Sequence, residues 1–142
     1  MSVEFCDTNV VVYAYDRTAG TKHAQSRILV DALWARDEGA LSVQVLQELF
    51  VSLTRKVRPS IPFARAREIV NDLTTWRIVE PTRHDIVAAI DSSGRWQVSF
   101  WDALILTTAH KAGATILWSE DLNEGQSYDG VVVRNPFTPP GP

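Results

Sequence analysis

The sequence predicts an α/β fold: a single domain in which a five-stranded parallel sheet carries helices on both faces. Short apolar runs typical of buried strands alternate with longer segments whose apolar residues follow helical spacing. The chain has 142 residues, enough to bury a substantial core in one domain. It shows no repeat and no internal linker, so we expect a domain at residues 1–137 and a proline-rich tail at 138–142.

The strands are predicted where β-branched, aromatic or other apolar residues stand together between turn or helix signals. They are residues 3–6, 40–42, 76–79, 115–118 and 131–133. Between the last two strands, residues 120–130 are polar and include two glycines, so we expect a loop there.

The helices are predicted from capping residues and apolar spacing. Thr8 or Asn9 suits the cap of a short helix after the first strand, and Pro59 ends a helix that begins at Val43. The segment Thr82-Arg83-His84-Asp85 has the pattern of a capping box. Further helices are expected at residues 21–37, at 62–73, from 82 onward and at 99–111, the last closed by Gly113.

The composition is that of a soluble globular protein, with 45% hydrophobic residues, 22% charged residues and a formal net charge of −3. The single cysteine, Cys6, excludes an internal disulfide and fits a reducing compartment. No apolar run reaches the ~20 residues of a membrane span, and the N-terminus lacks the layout of a signal peptide. We therefore expect a cytoplasmic protein without membrane association.

An acidic chain is not an obvious nucleic-acid binder, so such a role requires local basic patches. Candidates are the segment Arg55-Lys56-Val57-Arg58 and the residues Arg65 and Arg67. Each is also explained as a solvated helix face or helix end, where basic side chains complement the helix dipole.

Four acids stand where a parallel α/β sheet binds ligands, which is beyond the carboxyl ends of its strands. They are Asp7, Glu48, Asp102 and Asp121. Asp7 follows the first strand and Asp121 the fourth, whereas Glu48 and Asp102 lie in the first halves of two helices. In a doubly wound sheet the first and fourth strands are adjacent, so the four carboxylates are predicted to converge.

Each acid also has a structural interpretation. Asp7 is a candidate helix N-cap, and Asp121 is a candidate turn initiator. Asp102 follows Ser99 at the spacing of a capping box. Glu48 is surrounded in sequence by apolar residues, but helical geometry is able to turn it outward.

Converging carboxylates repel one another, so a compensating cation is expected. Oxygen ligands without His or Cys favour Mg²⁺ or Mn²⁺, and such an ion suits the hydrolysis of a phosphodiester by metal-activated water. The histidines share no spacing, which makes a structural zinc site very unfavourable. They are His23, His84 and His110. No glycine-rich phosphate loop is present in the sequence.

The acids lie in four short motifs, and the order of the motifs is far more specific than any one of them. The motifs are Asp7-Thr8-Asn9, Ser42-Val43-Gln44-Val45-Leu46-Gln47-Glu48, Ser99-Phe100-Trp101-Asp102-Ala103-Leu104-Ile105 and Ser119-Glu120-Asp121-Leu122-Asn123. In this order they resemble the PIN-domain ribonucleases, and most of all the VapC-type toxins of bacterial toxin–antitoxin pairs. The resemblance covers nearly the whole chain and implies a PIN-like domain.

The resemblance implies a metal-dependent endoribonuclease that leaves a 5′-phosphate and a 3′-hydroxyl. It assigns the catalytic and Mg²⁺- or Mn²⁺-binding roles to the four acids named above. It assigns supporting roles to Thr8, Asn9, Ser119 and Asn123. Glu120 is a weaker candidate ligand than its neighbour, and Asp129 is a candidate outer contributor.

The resemblance also implies an RNA substrate, a homodimer and a cognate antitoxin whose C-terminal segment enters the acidic groove. Core packing is the expected use of the aromatic residues, with stacking on a base as the alternative for Trp101. Two other functions remain open. One is a binding module with this fold and no catalysis. The other is a haloacid-dehalogenase-like phosphatase, although that family places a second Asp where this chain has Asn9.

Overall fold

A computed structural model describes residues 2–137 and shows an α/β domain with a six-stranded sheet. The strands are β1 (Glu4–Cys6), β2 (Gly39–Ser42), β3 (Arg77–Val79), β4 (Ile116–Trp118), β5 (Ser127–Tyr128) and β6 (Val131–Arg134). The helices are α1 (Thr8–Tyr15), α2 (Thr21–Arg36), α3 (Val43–Arg55), α4 (Phe63–Leu73), α5 (Arg83–Trp96) and α6 (Phe100–Lys111). A 3₁₀ turn at Arg17–Ala19 joins α1 to α2. The predicted proline-rich tail at 138–142 lies outside the described residues.

The strand order is β3-β2-β1-β4-β6-β5, so the first strand lies in the middle of the sheet beside the fourth. The five longer strands pair in parallel, as predicted. The prediction of a loop throughout residues 120–130 is wrong at one point: Ser127 and Tyr128 form β5, which pairs antiparallel with β6. A two-residue strand is too short to show an alternating pattern in the sequence. The strand forms because the tight turn at Asp129 and Gly130 brings residues 127–128 alongside β6.

The helices flank the sheet and enclose one main hydrophobic core. The central strand β1 is buried along its length, with Phe5 fully inaccessible to solvent. Gly39 begins β2 directly against Trp76, and any side chain at position 39 would collide with that indole ring. Burial also raises the pKa of the Cys6 thiol, so this cysteine is a packing residue without thiolate character at neutral pH.

Within residues 2–137, no helix combines the length and the apolar character needed to cross a membrane. The helix starts are largely those expected from the sequence. Thr82 and Asp85 form the predicted capping box at α5, and Gly113 follows α6 in a left-handed conformation. Pro62 forms the N-cap of α4, one position outside the predicted first turn.

Candidate active site

One open cavity of about 330 Å³ lies beside the ends of β1 and β4. Its walls include all four predicted acids, Asp7, Glu48, Asp102 and Asp121. Parallel pairing of β1 with β4 places the two strand-end acids side by side, and α3 and α6 supply the other two. The convergence expected from the topology is therefore present, with Thr8 and Asn9 also in the cavity wall.

Asp7 is the most buried of these acids, with 8% of its surface exposed. It is the N-cap of α1, and its carboxylate accepts hydrogen bonds from the Thr8 N–H at 2.7 Å and the Ser119 hydroxyl at 3.0 Å. Burial, reinforced by the negative charges of Asp121 and Asp102, raises the pKa of Asp7 to about 6 against the effect of these bonds. Asp7 thus combines the structural interpretation with a place in the cavity.

Ser119 ties the two strand ends together. Its buried hydroxyl donates to Asp7 Oδ2 and accepts from the Asp121 N–H at 3.1 Å. The Asp7 N–H also donates to the Trp118 carbonyl at 2.9 Å. One hydroxyl therefore sets the spacing between the segment after β1 and the segment after β4.

Glu48 turns outward from the apolar residues around it and is held by Thr8. The Thr8 hydroxyl donates to Glu48 Oε1 at 2.9 Å, which links the first turn of α1 to the middle of α3. Thr8 itself is buried, so this bond fixes the glutamate at the cavity wall.

Asp102 does not complete the capping box that the sequence suggests. The Ser99 hydroxyl caps α6 by accepting from the Asp102 N–H at 3.1 Å, but the Asp102 carboxylate gives no reciprocal bond to the Ser99 N–H. Among residues 2–137 that carboxylate has no hydrogen-bond partner, and it faces the shared cavity. The structural interpretation of Asp102 thus explains its backbone but not its side chain.

Asp121 is the more exposed of the two strand-end acids. Its carboxylate accepts a long hydrogen bond of 3.5 Å from the Asn9 side-chain amide. Partial burial and the charges of Glu120 and Asp102 raise the pKa of Asp121. Asn9 therefore contacts the site without adding negative charge to it.

Three polar residues of the fourth motif and its loop are used elsewhere. Glu120 accepts from the Tyr13 hydroxyl and from Lys22, each at 2.7 Å, and these bonds lower its pKa although burial acts to raise it. Asn123 donates to Gln126 at 2.9 Å, which orders the loop as expected for a supporting residue. Asp129 pairs with Arg95 at 3.4 Å, and none of these three lines the acidic cavity.

The cavity wall contains residues to which the sequence analysis assigned no role. Gln44, Gln47, Val51 and Ser52 line it together with Glu48, and all five are spaced to share one face of α3. Helical spacing from Glu48 was the signal able to find them. Lys56, from the predicted basic segment, also lines the cavity and brings one positive charge to it. The core packing expected for Trp101 is wrong, because 62% of its surface is exposed at the rim.

The donors in this cavity fit a hydrated divalent cation. Within residues 2–137, no group of three or more Asp, Glu, His or Cys side chains is arranged to hold a metal ion. The cavity therefore has oxygen donors without a closed ligand cage. Mg²⁺ usually retains several waters and takes only one or two carboxylates directly, so an open arrangement led by Asp7 and its acidic neighbours suits it. A cation would also relieve the cost of a buried charge at Asp7.

The chain is thus an α/β domain whose candidate active site consists of four carboxylates gathered beyond the central strands of the sheet. The family model of the PIN domain matches residues 5–123, so the chain belongs to the PIN domain family. A comparison with curated protein sequences found no match.

Solved structures with a similar fold include a toxin and a toxin–antitoxin complex. The chain aligns with a toxin–antitoxin complex from Klebsiella pneumoniae at 19% identity and a TM-score of 0.69, covering 96% of this chain and 98% of that one. It aligns with VapC20 of Mycobacterium tuberculosis, a sarcin–ricin loop cleaving toxin, at 21% identity and a TM-score of 0.62, covering 83% and 89%. VapBC2 of Rickettsia felis, bound to a promoter DNA fragment, gives 16% identity, a TM-score of 0.63 and coverage of 94% and 98%.

Proposed function

We propose that this chain is a Mg²⁺- or Mn²⁺-dependent endoribonuclease that acts as the toxin of a toxin–antitoxin pair. The observation that carries the proposal is the meeting of four carboxylates, from four separate segments of a PIN domain, in one cavity. Such a cavity supplies anionic oxygen ligands for a divalent cation, which favours hydrolysis by metal-activated water.

In this proposal Asp7, Glu48, Asp102 and Asp121 hold the cation, directly or through water. When bound, the cation lowers the pKa of water and offsets negative charge on the phosphodiester oxygens. Thr8 and Ser119 hold two of the carboxylates in place. Lys56 attracts the phosphate backbone to a cavity that otherwise repels it.

The partners follow from the same proposal. A solved structure that aligns with this chain over nearly the full length of each is that of a toxin–antitoxin complex, which supports a cognate antitoxin as the inhibitor of this chain. We extend the proposal to a homodimer and to a cytoplasmic location, where the RNA substrate is found.

Cleavage of total bacterial RNA by the purified, antitoxin-free protein tests the proposal. We expect cutting with Mg²⁺ or Mn²⁺, none with excess EDTA, and about 1000-fold slower cutting by Asp102→Asn with either ion. Asp85→Asn is the matched control because it also changes the third residue after a helix cap, but outside the cavity. It is expected to cut as the wild type does.

The two alternatives give different results. If wild type and Asp102→Asn bind RNA equally well and neither cuts it under any condition, the chain is a binding module. The phosphatase alternative loses its support because the chain belongs to the PIN domain family and has Asn9 where the phosphatases have a second Asp, two positions after Asp7. Release of phosphate from small phosphomonoesters without any RNA cleavage would restore it.

A further inference from the structure

A second groove, about 350 Å³ in volume, has a basic lining and begins at the C-terminal end of α1, where Ala14 and Tyr15 form part of its wall. We call it the basic groove. Within residues 2–137, no carboxylate lines it. Its cationic side chains come from the 3₁₀ turn, from α2 and from α4, and they are Arg17, Arg27 and Arg65. Because arginine presents a planar fork of N–H donors that matches paired oxygens, the groove is suited to an oxyanion.

Arg27 is held in place at the wall of the groove. Its Nη1 donates to the Ala14 carbonyl at 3.3 Å, and its guanidinium lies 4.9 Å from the centre of the Tyr15 ring. Asp31 accepts from the same guanidinium at 2.6 Å, but 63% of the Asp31 side chain is exposed. An exposed ion pair is weak, so an anionic ligand is able to compete with it. Arg27 therefore has little side-chain freedom to lose when it binds an anion.

The other two arginines are more open to solvent. The Arg17 side chain is exposed and has no ion-pair partner among residues 2–137. Arg65 pairs with Glu68 at 2.9 Å, and at least half of each of these side chains is exposed. His23 also lines the groove, with its Nδ1 2.8 Å from the Tyr13 carbonyl oxygen. The positive charge of the groove is thus only partly offset, and only by acids that lie outside its lining.

Two segments run between the basic groove and the acidic cavity. Thr8 in the cavity wall and Tyr15 in the groove are seven residues apart, so they share a face of α1 and lie about 10 Å apart along its axis. The connection between α3 and α4 also reaches both spaces, since Lys56 lines the cavity and Ile61 lines the groove. Between them, Arg58 is exposed and has no acidic partner within the described part of the chain. Cations therefore continue from the cavity to the groove.

We propose that the basic groove binds the phosphate backbone of the RNA substrate, on one side of the bond that is cut. The identity of the ligand rests on the proposed function, whereas the ability of the groove to bind phosphates does not depend on cleavage. The groove supplies attraction that RNA otherwise lacks, because the chain has a net charge of −3 and four carboxylates line the cavity. Backbone contacts carry no sequence information, so the groove adds affinity without base selectivity.

An acidic polypeptide is the other macromolecule with a matching charge. The continuity of the groove with the cavity favours RNA, because a nucleic-acid strand carries one anion at every nucleotide along such a path.

The test is binding of a fluorescein-labelled single-stranded RNA decamer of mixed sequence, followed by anisotropy in EDTA over a series of salt concentrations. A gel shows that the RNA stays intact. The groove variant combines Arg17→Gln with Arg65→Gln and keeps Arg27 with its contacts. Each phosphate contact to a single strand contributes about 0.7 to the slope of log K against log salt, so this slope should fall by about 1.4. At 0.1 M salt this change corresponds to about 20-fold weaker binding.

Arg67→Gln combined with Arg77→Gln is the matched control, because it removes the same charge from two exposed arginines outside both spaces. Affinity and salt slope should stay close to those of wild type. Thermal unfolding of both double variants should match wild type, since Arg17 and Arg65 make only surface contacts. An equal loss of RNA binding in the two double variants would show a general effect of charge and would overturn the proposal.

Unchanged affinity and salt slope in the groove variant also overturn the proposal. If a labelled decamer of aspartate loses its binding in that same variant, the groove belongs to an acidic polypeptide instead. Failure of the wild type to bind the RNA decamer at any salt concentration overturns the proposal as well.

Cleavage of total RNA with Mg²⁺ separates the groove from the proposed function. If wild type cuts and the groove variant has a raised KM at unchanged kcat, both proposals stand, because the groove binds ground state and transition state alike. If wild type cuts and the groove variant alters neither the KM nor the salt slope, the groove fails alone. If wild type does not cut but the salt slope falls as expected, the nuclease fails and the groove stands as an RNA-binding site.

Discussion

The helices α5 and α6 begin with the same pattern, a hydroxyl residue followed three positions later by Asp, yet the two aspartates have different roles. In both, the cap hydroxyl accepts from the N–H of the aspartate, at 3.2 Å for Thr82 and 3.1 Å for Ser99. The Asp85 carboxylate accepts hydrogen bonds from the Thr82 N–H at 2.7 Å and from Lys111 at 2.7 Å. The Asp102 carboxylate accepts no hydrogen bond from the Ser99 N–H, and it lines the acidic cavity.

The comparison teaches that the same capping pattern serves two ends: one carboxylate is tied to its own helix, and the other faces the cavity. Hydrogen bonds from Lys111 and from the cap lower the pKa of Asp85, which marks a carboxylate whose charge is stabilised by the fold. Asp7, a third aspartate at a helix start, has its pKa raised to about 6 because burial outweighs its bonds. The fold thus stabilises the charge of Asp85 and destabilises that of Asp7.

The largest expected effect comes from Asp102→Asn. We expect RNA cleavage to fall about 1000-fold, since a metal ligand contributes several kcal/mol of charge stabilisation in the transition state. Because the Asp102 carboxylate has no partner among residues 2–137, the free energy of unfolding should change by less than about 0.5 kcal/mol. Cleavage kinetics and urea unfolding measure the two quantities. A variant that is less stable but cuts normally would show that Asp102, like Asp85, serves only the cap of its helix.

The second prediction concerns Asp7→Asn in the metal-free protein. A carboxyl whose folded pKa is raised to about 6 makes the fold lose stability as the pH rises from about 4 to 6, because the native state holds the proton more tightly than the unfolded state. At pH 7 with EDTA, Asp7→Asn should therefore be more stable by roughly 1–2 kcal/mol, after allowance for weakened hydrogen bonds.

Thermal unfolding of wild type and Asp7→Asn at pH 4 and pH 7 checks this, and the difference between the two proteins should nearly vanish at pH 4. Added Mg²⁺ should stabilise wild type more than the variant, because only a ligand bound to the native state raises stability. A gap of equal size at both pH values would show that the charge of Asp7 carries no cost.

The third prediction is Asp85→Asn, which should leave cleavage intact and destabilise the protein by about 1 kcal/mol, the usual value of a helix cap. The pKa of Asp85 is lowered in the folded state, so its contribution is present above the unfolded value of about 4 and is lost as the pH falls through the folded pKa. Urea unfolding at pH 7 and pH 3 should show the larger deficit at pH 7. Reduced cleavage at unchanged stability would show instead that Asp85 takes part in the reaction.

The smallest expected effect is that of Lys111→Met. Lys111 pairs with Asp85 near the surface, with 37% and 21% of the two side chains exposed, so the loss should be only a few tenths of a kcal/mol. A double-mutant cycle with Asp85→Asn measures the coupling between the two groups. High salt should reduce that coupling, because the pair is partly open to solvent. A coupling energy near zero would leave the capping box as the whole contribution of Asp85.

Sequence analysis predicted the parallel sheet and its helices because apolar spacing and caps are local signals. Its residue-level limits are physical. Thr82-x-x-Asp85 and Ser99-x-x-Asp102 are equivalent as patterns, and only the folded chain shows which carboxylate is used by its own cap. β5 arises from pairing with β6 and has no pattern of its own. Trp101 is a large aromatic residue of the kind usually found in a core, but its exposure depends on where α6 lies on the sheet.

The position of β1 in the middle of the sheet has a consequence for the newly made protein. The Ser119–Asp7 hydrogen bond joins residues 112 positions apart, and Asp102 and Asp121 also belong to the last third of the sequence. During translation, Asp7 therefore emerges from the ribosome first and stays without its partners until the segment after β4 has followed. The acidic cavity is therefore completed only once this later segment has been made, and a nascent chain that stops before Ser119 has no assembled site.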